Sequence, residues 1–504
     1  MSLSLSSFLT RLMPFKVVFL AVVVPRILVL GDFPHIDEGY YIYYAQLIFQ
    51  SVLTNGQLPD VGSCNLYSCL LAPFCILPGN LYIWMRLVDL GFAVVAGLLL
   101  CRLLVRESAD KTSGLLIAFL CLVCWHVPHV LDAGVKNSLV IAYAALFSAL
   151  LIVERNTKAA WFAAGCLTAL AVLLREPFAI YSCLGAVAML FGYGLPAACI
   201  YCMGGIMAGL GLILALAFGR GSLQGLVEAY LQAGTVVSAE ASNVFTFFIR
   251  YGLRFLGEFW PFLFLVIFAI ALLWRAPEQQ YRRRAMFWLA CMFAPFIEIL
   301  SKTAFLYHFS MILPAFAGML ALSLRLKDAT GLFTRVLNAK MFLFASLIVL
   351  CVNYRPYAMK ETWQVLQDFP TCAWSEEATR SSNTLLAAQV IGKLPGSTLS
   401  VSGLMHFLYP LTRRLPPSLG MDDLSRVFLR LGRDEKKLTN FLVEKSPDVL
   451  VVGNVQETDH VAMFTEEIQR AINATELYTL VCEIPIDETK NYGWIGCRIY
   501  SRRQ

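Results

Sequence analysis

Two adjacent carboxylates, Asp37 and Glu38, follow the first apolar run of the chain, in the stretch FPHIDEGYYIYYAQLIFQ at residues 33–50. An ionised group at the edge of a membrane segment is costly, which makes it a functional-site hypothesis by default. A carboxylate placed there can act as a general base that takes the proton of a hydroxyl group. The same residues would also suit the N-cap and first turn of a helix, and the two roles are compatible.

Cations that could accompany these acids occur in several distant loops and span ends. A general base that deprotonates an acceptor works well beside cations that hold a phosphate leaving group. Acids and cations gathered at one membrane surface therefore favour a group-transfer reaction. The further candidates are Arg86, Asp132, Lys136, Arg175, Arg254, Lys302 and His308.

These candidates also have plain structural explanations. Asp132 could cap a span, and Lys136 could extend its amine to the interface. Arg86 and Asp89 have the i,i+3 spacing of an ion pair on one helix. Ordinary turn, flank or core positions would explain Arg175, Lys302 and His308.

The composition indicates that helices in a membrane must position these groups. Of the 504 residues, 58% are hydrophobic and 15% charged, whereas a soluble domain has about 25% charged residues. The 39 charged residues of 1–353 make that part about 11% charged, and the 35 of 354–504 make the rest about 23% charged. We therefore predict a transmembrane domain at 1–353 and an extramembrane domain at 354–504. A net charge of +6, without a basic stripe or a nucleic-acid motif, gives no case for nucleic-acid binding, and we expect no nucleic-acid partner.

Apolar runs predict about eleven membrane spans, with a possible range of ten to thirteen. Longer outer loops are expected at 31–81 and 219–258. The predicted spans are 9–30, which we expect to be retained, 82–101, 113–131, 138–153, 159–174, 178–193, 196–218, 259–274, 286–301, 309–324 and 341–353.

Loop charges predict the orientation of these spans. Lys and Arg cluster on one side, for example at Arg106, Arg155 and Arg282–Arg284, whereas the stretch 31–65 contains neither residue. By the positive-inside rule the N-terminus is cytoplasmic, and the acid pair and the C-terminal domain are extracytoplasmic.

The C-terminal part is predicted to be a small α/β domain. Short apolar strands are expected at 397–403 and 447–454, and two further strands at 477–485 and 494–502. Helical periodicity covers 421–445 and 459–473.

Five segments resemble, in order, the GT-C superfamily of polyprenyl-phosphate-sugar-dependent glycosyltransferases, especially protein O-mannosyltransferases and the aminoarabinose transferases of lipid A. HIDEGYYIYYAQLI is similar to their acidic first outer loop, and LYIWMRLVDLGFAVV to their second span with its arginine. HVLDAGVKNSLVIAYAALF resembles their second outer acid and span. WFAAGCLTALAVLLREPFAIY resembles a segment that ends in lysine-proline, with Arg175 in the lysine place. SKTAFLYHFSMILPAFAGMLAL resembles the HYxLPxxPAxAxL span, with Tyr307 and His308 in reversed order.

The resemblance implies roles for the candidates. Asp37 would be the general base of a single inverting displacement, in a catalytic group with Glu38 and Asp132. Glu38 and Asp132 would alternatively hold a divalent cation such as Mg²⁺, Mn²⁺ or Ca²⁺. Tyr40, Tyr41 and Lys136 would contact substrate. The donor phosphate would lie on Arg86, Arg175, Arg254, Lys302, Tyr307 and His308.

The implied activity is that of an integral membrane glycosyltransferase, a hexosyl- or pentosyltransferase of the bacterial inner membrane. It would move a sugar from a polyprenyl-phosphate donor to a protein, glycan or lipid hydroxyl on the periplasmic side. A transporter or flippase of lipid-linked sugars would also need many spans and buried charges. A polymerase or ligase of lipid-linked sugars is a third possibility.

Overall fold

The computed structural model divides the chain into two compact units. Unit 1 comprises Met1–Leu30, Leu87–Ala215 and Val237–Tyr357, and unit 2 comprises Gly31–Arg86, Leu216–Val236 and Ala358–Gln504. The structure describes residues 13–28, 30, 36–56, 66–108, 110–126, 138–220, 244–274, 278–296, 306–325, 339–353, 383–402, 405–417, 423–454, 464–485 and 496–503.

The elements that the structure describes in unit 1 are all helical. A π-helical segment, Phe19–Val23, leads into the first short helix. The helices of this unit are α1 (Val24–Leu28), α4 (Leu81–Ser108, which begins in unit 2), α5 (Lys111–Trp125), α6 (Ser138–Val153), α7 (Lys158–Leu174), α8 (Ala179–Tyr193), α9 (Leu195–Arg220, which ends in unit 2), α10 (Val244–Trp274), α11 (Gln279–Phe293), α12 (Leu306–Phe309), α13 (Leu313–Ser323) and α14 (Ala339–Asn353).

Three stretches of the described chain are long and apolar enough to cross a membrane: Leu81–Ser108, Leu195–Ala215 and Phe248–Trp274. Seven shorter apolar helices of 10–17 residues accompany them in the described part. A helix that crosses the hydrocarbon core needs about 20 apolar residues, and tilt or unequal ends vary that length. The prediction of a largely helical chain with membrane-length apolar helices is confirmed, while the number of spans stays a prediction.

Small residues allow two helices of unit 1 to touch through their backbones. A Cβ at Gly165 of α7 would lie 2.0 Å from the carbonyl oxygen of Tyr201 on α9. A Cβ at Gly204 would lie 2.2 Å from the carbonyl oxygen of Phe162. Membrane helices commonly use small residues in this way, because close backbone approach maximises packing where no water drives association.

Unit 2 joins the segment after the first apolar run to the C-terminal sheet. Its helices are α2 (Ile36–Asn55), α3 (Leu66–Leu71), α15 (Asn383–Lys393), α16 (Leu408–Thr412), α17 (Leu424–Arg430), α18 (Glu435–Lys445) and α19 (Thr465–Ala474). Its strands are β1 (Leu399–Ser402), β2 (Val449–Asn454), β3 (Tyr478–Ile484) and β4 (Gly496–Arg502).

The four strands form one sheet in the order β1-β2-β4-β3. β1 pairs with β2 in parallel, whereas β4 pairs antiparallel with both β2 and β3. Helices α17, α18 and α19 cover the sheet through buried residues that include Phe428, Leu442, Leu450, Ile468 and Tyr500. All four strands lie where the sequence predicts them, which confirms the α/β character of this region.

Asp448 fastens the start of β2 to the start of β1. Its Oδ2 accepts hydrogen bonds from the backbone amide of Ser397 (2.9 Å) and from the amide and hydroxyl of Thr398 (2.9 and 2.7 Å). Burial raises the pKa of the Asp448 carboxyl, but these bonds and the charge of Arg414 outweigh it and hold the pKa below its ordinary value. Gly396 has φ +89°, and a Cβ there would lie 2.3 Å from the Asp448 side chain, so only glycine fits this turn.

Two predicted boundaries are wrong for local physical reasons. The helix expected over 421–445 is broken between α17 and α18, where Gly432 and Arg433 have positive φ and Asp434 caps α18. Helix α10 begins at Val244 rather than at residue 259. It continues through the predicted loop with a kink at Phe259, next to Pro261, which cannot donate the usual helical hydrogen bond.

Candidate functional site

A buried ion pair fixes the acid-bearing end of α2 within unit 2. Nε of Arg86 donates to Oε1 of Glu38 at 2.7 Å, and Nη2 donates to Oε2 at 2.8 Å. Glu38 is 0% exposed and Arg86 2%. The planar guanidinium matches both carboxylate oxygens at once, which gives this contact more directional restraint than a lysine could supply. The first turn of α2 is thereby locked to the start of α4.

The next residue, Gly39, packs against the C-terminal part of the chain. A Cβ at Gly39 would lie 2.5 Å from Cβ and 2.6 Å from Cα of Phe407. Tyr82, one turn before Arg86 on α4, donates its hydroxyl proton to the carbonyl oxygen of Phe407 at 3.0 Å. Two sides of the ion pair therefore contact the same C-terminal residue.

Aromatic rings extend this contact along α2. Tyr43 stacks on Tyr409 with ring centroids 4.4 Å apart, and His406 lies 5.6 Å from the ring of Tyr40. Tyr41 meets the ring of Tyr67 edge-on at 5.4 Å. Tyr40 and Tyr41, which the sequence suggests as substrate contacts, thus belong to an aromatic cluster around the first two turns of α2.

A cation from the C-terminal region borders the same cluster. Arg426 of α17 lies over the ring of Tyr40, 5.6 Å from its centroid, and 3.6 Å from Asp423. Burial lowers the pKa of Arg426, but Tyr40, Asp423 and Tyr44 outweigh it and raise the pKa above its ordinary value. Arg426 therefore supplies a permanent positive charge beside Tyr40.

Asp37 occupies the first turn of α2, one residue before Glu38. Its side chain lies outside the described residues, and so do the side chain of Tyr307 and the whole of Asp132, Lys136 and Lys302. The roles that the sequence assigns to these residues stay predictions.

Three of the predicted phosphate-binding residues lie in unit 1, on segments that pack together. Tyr143 bridges two of them: its hydroxyl donates to the carbonyl oxygen of Met311 at 2.7 Å, and its ring lies 4.9 Å from that of Phe178. Met311 follows His308 by three residues, and Phe178 follows Arg175 by three. The structure therefore brings the segment of Arg175 close to the segment of His308.

The third residue, Arg254, is linked to the His308 segment through its neighbour. Phe255 stacks on Phe309 with centroids 5.6 Å apart. Arg254 itself is 45% exposed and donates to Glu258, four residues later on α10, at 2.6 Å. His308 is buried and Arg175, which ends α7, is half-buried.

Sequence reasoning missed a buried charge cluster in unit 1. Arg26 of α1 forms a salt bridge with Asp89 of α4, and its Nε donates to Nδ1 of His126 at 3.3 Å. All three side chains are buried. An arginine within a predicted span is a signal that could have identified this cluster, because a charge in the membrane needs a partner.

The structure gives the paired acids and cations partners that local spacing does not reveal. Arg86 and Asp89 are three residues apart, yet Arg86 holds Glu38 and Asp89 holds Arg26. Within the described residues there is no group of three His, Cys, Asp or Glu side chains arranged to hold a metal ion. Both oxygens of Glu38 are engaged with Arg86, so Glu38 does not fit as a ligand of a divalent cation in this arrangement.

Comparisons with protein-family models and with curated proteins find no match. Among solved structures, the chain is similar to the archaeal oligosaccharyltransferase AglB from Archaeoglobus fulgidus, in complex with an inhibitory peptide and a dolichol-phosphate. The identity is 15% and the TM-score 0.49, over 97% of this chain and 74% of that chain. A likeness of this size establishes neither the fold nor the activity.

Proposed function

We propose that this protein is an integral membrane glycosyltransferase that moves a hexose or pentose from a polyprenyl-phosphate donor to an extracytoplasmic hydroxyl, with inversion. Asp37 is the general base. The observation that carries the proposal is the buried, bidentate Glu38–Arg86 pair directly after Asp37. It supports different roles for the two acids, because both carboxylate oxygens of Glu38 already accept hydrogen bonds from Arg86.

Glu38 is the positioning residue of this proposal. Its two oxygens accept both hydrogen bonds of one guanidinium, and the side chain has no exposed surface. A carboxylate in this state does not reach an acceptor hydroxyl. Arg86 equally directs its guanidinium to Glu38, so both residues orient α2 instead of contacting donor phosphate or metal. Asp37 is then the acid of the pair that remains for proton transfer.

The proposed reaction is a single displacement. The acceptor O–H gives its proton to Asp37 while its oxygen attacks the anomeric carbon of the sugar. The bond between that carbon and the phosphate oxygen breaks, and polyprenyl phosphate leaves with the electron pair. A positioned base typically contributes about 10²–10⁴-fold to such a step. Arg175, Arg254, Lys302 and His308 are proposed to stabilise the negative charge of the departing phosphate.

Two features of the described residues support a membrane site for this reaction. The described chain contains three helices that are long and apolar enough to cross a bilayer, and Arg254 lies on one of them, Phe248–Trp274. The segment of His308 contacts the segment of Arg254 directly and is linked to the segment of Arg175 through Tyr143, all within unit 1. Among the acceptors that the sequence suggests, protein, glycan and lipid hydroxyls all satisfy the same chemistry.

The test uses purified full-length protein in lipid nanodiscs with polyprenyl-phosphate-linked sugars, and measures the release of polyprenyl phosphate together with sugar transfer. We expect Asp37→Asn to lower turnover by at least two orders of magnitude while the protein stays folded. Glu444→Gln, an exchange of an exposed acid, serves as the matched control and should leave turnover unchanged.

Near wild-type turnover in Asp37→Asn would refute the role of Asp37. In sealed proteoliposomes, movement of the intact lipid-linked sugar across the bilayer without release of polyprenyl phosphate would instead establish a flippase. Activity only with pyrophosphate-linked oligosaccharides would point to a polymerase or ligase.

A further inference from the structure

Arg426 contacts the acid-bearing helix α2 from the C-terminal part of unit 2, and the proposed reaction leaves it without a role. Its guanidinium lies over the ring of Tyr40, 5.6 Å from the ring centroid. Tyr44, one turn further along α2, packs its ring on that of Tyr40 with centroids 4.4 Å apart. At exposed sites, the attraction between a cation and an aromatic face shifts an equilibrium about two- to fivefold. The contact therefore restrains the first two turns of α2.

The C-terminal sheet fixes the position from which Arg426 extends. Oδ2 of Asp423 lies 3.6 Å from Nε of Arg426. Asp423 caps α17 by accepting a hydrogen bond from the backbone amide of Ser425 at 2.9 Å, and it forms a β-bridge with Val401 of β1. Because Asp423 offsets the charge of Arg426, the contact with Tyr40 matters as a restraint on position and not as an excess of positive charge.

The first turn of α2 is held on successive sides. An α-helix advances by about 100° per residue, so residues 37–40 divide one full turn. Arg86 holds position 38 through its two hydrogen bonds to Glu38, and Phe407 packs against position 39. Arg426 holds position 40. Around the helix axis, position 37 lies on the remaining side, between positions 40 and 38.

Rotation of α2 about its own axis would displace the proposed base. With its side chains a helix has a radius of about 5–6 Å, so a rotation of roughly 10° moves its surface by about 1 Å. A displacement of that size at a reacting group can lower the rate about 100-fold. A restraint at position 38 alone leaves the helix free to pivot there, whereas a second restraint at position 40, about 160° away around the axis, opposes that movement.

We propose that Arg426 is a positioning residue of the transfer reaction, which it serves by holding Tyr40 and thereby the turn of α2 that carries Asp37. This inference rests on the proposed function, because it needs Asp37 as the reacting base. It gives the C-terminal domain a part in the reaction: the domain supplies a restraint on the side of the turn away from Arg86. Arg426 itself contacts neither donor nor acceptor.

The first measurement is the turnover of Arg426→Gln in nanodiscs with a polyprenyl-phosphate-linked sugar. We expect kcat to fall about 10- to 100-fold at an unchanged KM, because the base is displaced while no substrate contact is removed. Arg426→Lys keeps a cation over the ring and should recover most of the turnover. The matched control is Arg433→Gln, which removes another exposed arginine of the same domain, one that lies 5.1 Å from the ring centroid of Phe464. This control should turn over like wild type.

Two further measurements test how Arg426 acts. In a double-mutant cycle, Tyr40→Leu removes the ring, so adding Arg426→Gln should lower kcat by less than about twofold more. Hydrogen exchange of the peptide that covers residues 36–44, followed by mass spectrometry, reports the restraint without any turnover. Exchange should be roughly two- to fivefold faster in Arg426→Gln than in wild type, and unchanged in Arg433→Gln.

Unchanged turnover and unchanged exchange in Arg426→Gln would overturn the role of Arg426 and leave the proposed function intact. A raised KM at an unchanged kcat would show that Arg426 binds substrate, and a full additional loss in the Tyr40→Leu background would show that it acts without Tyr40. Either result contradicts the proposal. If the wild-type protein transfers no sugar while exchange is faster in Arg426→Gln, the proposed function and the role in transfer both fail, and only the restraint on α2 is confirmed.

Discussion

Removing Arg86 should expose how strongly the first turn of α2 depends on its ion pair. In Arg86→Met the carboxylate of Glu38 stays fully buried and loses two charge-assisted hydrogen bonds of 2.7 and 2.8 Å. Breaking a buried pair by deleting one partner typically costs about 3–5 kcal/mol, chiefly because the remaining charge has lost its compensation. We expect a loss of that size in the free energy of unfolding.

The double variant Glu38→Leu/Arg86→Met separates the energetic role of the pair from its positioning role. Apolar replacements of similar size often restore stability, so the double variant should recover most of the loss. Turnover should stay low, because the first turn of α2 loses its directional restraint. Equilibrium unfolding in mixed micelles and the lipid-phosphate release assay measure the two effects on the same samples.

An Arg86→Met variant whose free energy of unfolding lies within about 0.5 kcal/mol of the wild-type value, the range of ordinary surface substitutions, would contradict the stabilising role of the ion pair. Wild-type turnover in a stable double variant would refute the positioning role alone. A double-mutant cycle then gives the coupling energy between the two side chains.

Three further predictions concern the C-terminal part of the chain and its contact with α2. The folded pKa of Asp448 lies below its ordinary value of 3.8. The ionised carboxyl therefore contributes fully to stability above about pH 4, and this contribution is lost as the pH falls through the folded pKa. Asp448→Asn should remove this pH dependence from acid unfolding curves of the full-length protein. Gly39→Ala should destabilise by about 1–3 kcal/mol through overpacking against the backbone of Phe407, whereas Gly91→Ala, with no atom within 4 Å of the added methyl, should not; thermal unfolding compares the two. Burial raises the pKa of the Cys497 thiol to about 12, so a maleimide at pH 8 should modify it only after denaturation, as peptide mass spectrometry can show.

The sequence predicts the secondary structure of this protein well wherever one local property decides it. Apolar runs identify the membrane-length helices, and β-branched runs next to turn residues identify β1 and β2. The start of α10 escapes prediction because Arg250, Arg254 and Glu258 lower the local hydropathy although the segment stays helical. Hydropathy measures how favourable it is to transfer a residue from water to an apolar environment. A helix can continue through residues for which this transfer is unfavourable, so hydropathy alone does not locate its start.

The partners of the charged residues in the candidate site are not predicted by local sequence spacing. The sequence identifies both Glu38 and Arg86 as chemically important, but spacing favours Asp89 as the partner of Arg86. Their actual partners lie 48 and 63 residues away. Arg426, which borders Tyr40, lies on the polar face of an ordinary tail helix and carries no signal in the sequence. Such contacts depend on tertiary packing, which no local spacing encodes.

The hydrogen bond between Tyr82 and Phe407 also has a consequence for synthesis. The two residues are 325 positions apart, and translation at about 5–20 residues per second separates their appearance by roughly 16–65 s. During that interval the helix that carries Asp37 exists without the residue that covers Gly39. Termination before residue 405 would release a chain that contains the acid pair and the apolar helices but lacks this support. The acid-bearing helix is therefore synthesised early and gains its contact with Phe407 only after most of the chain has been made.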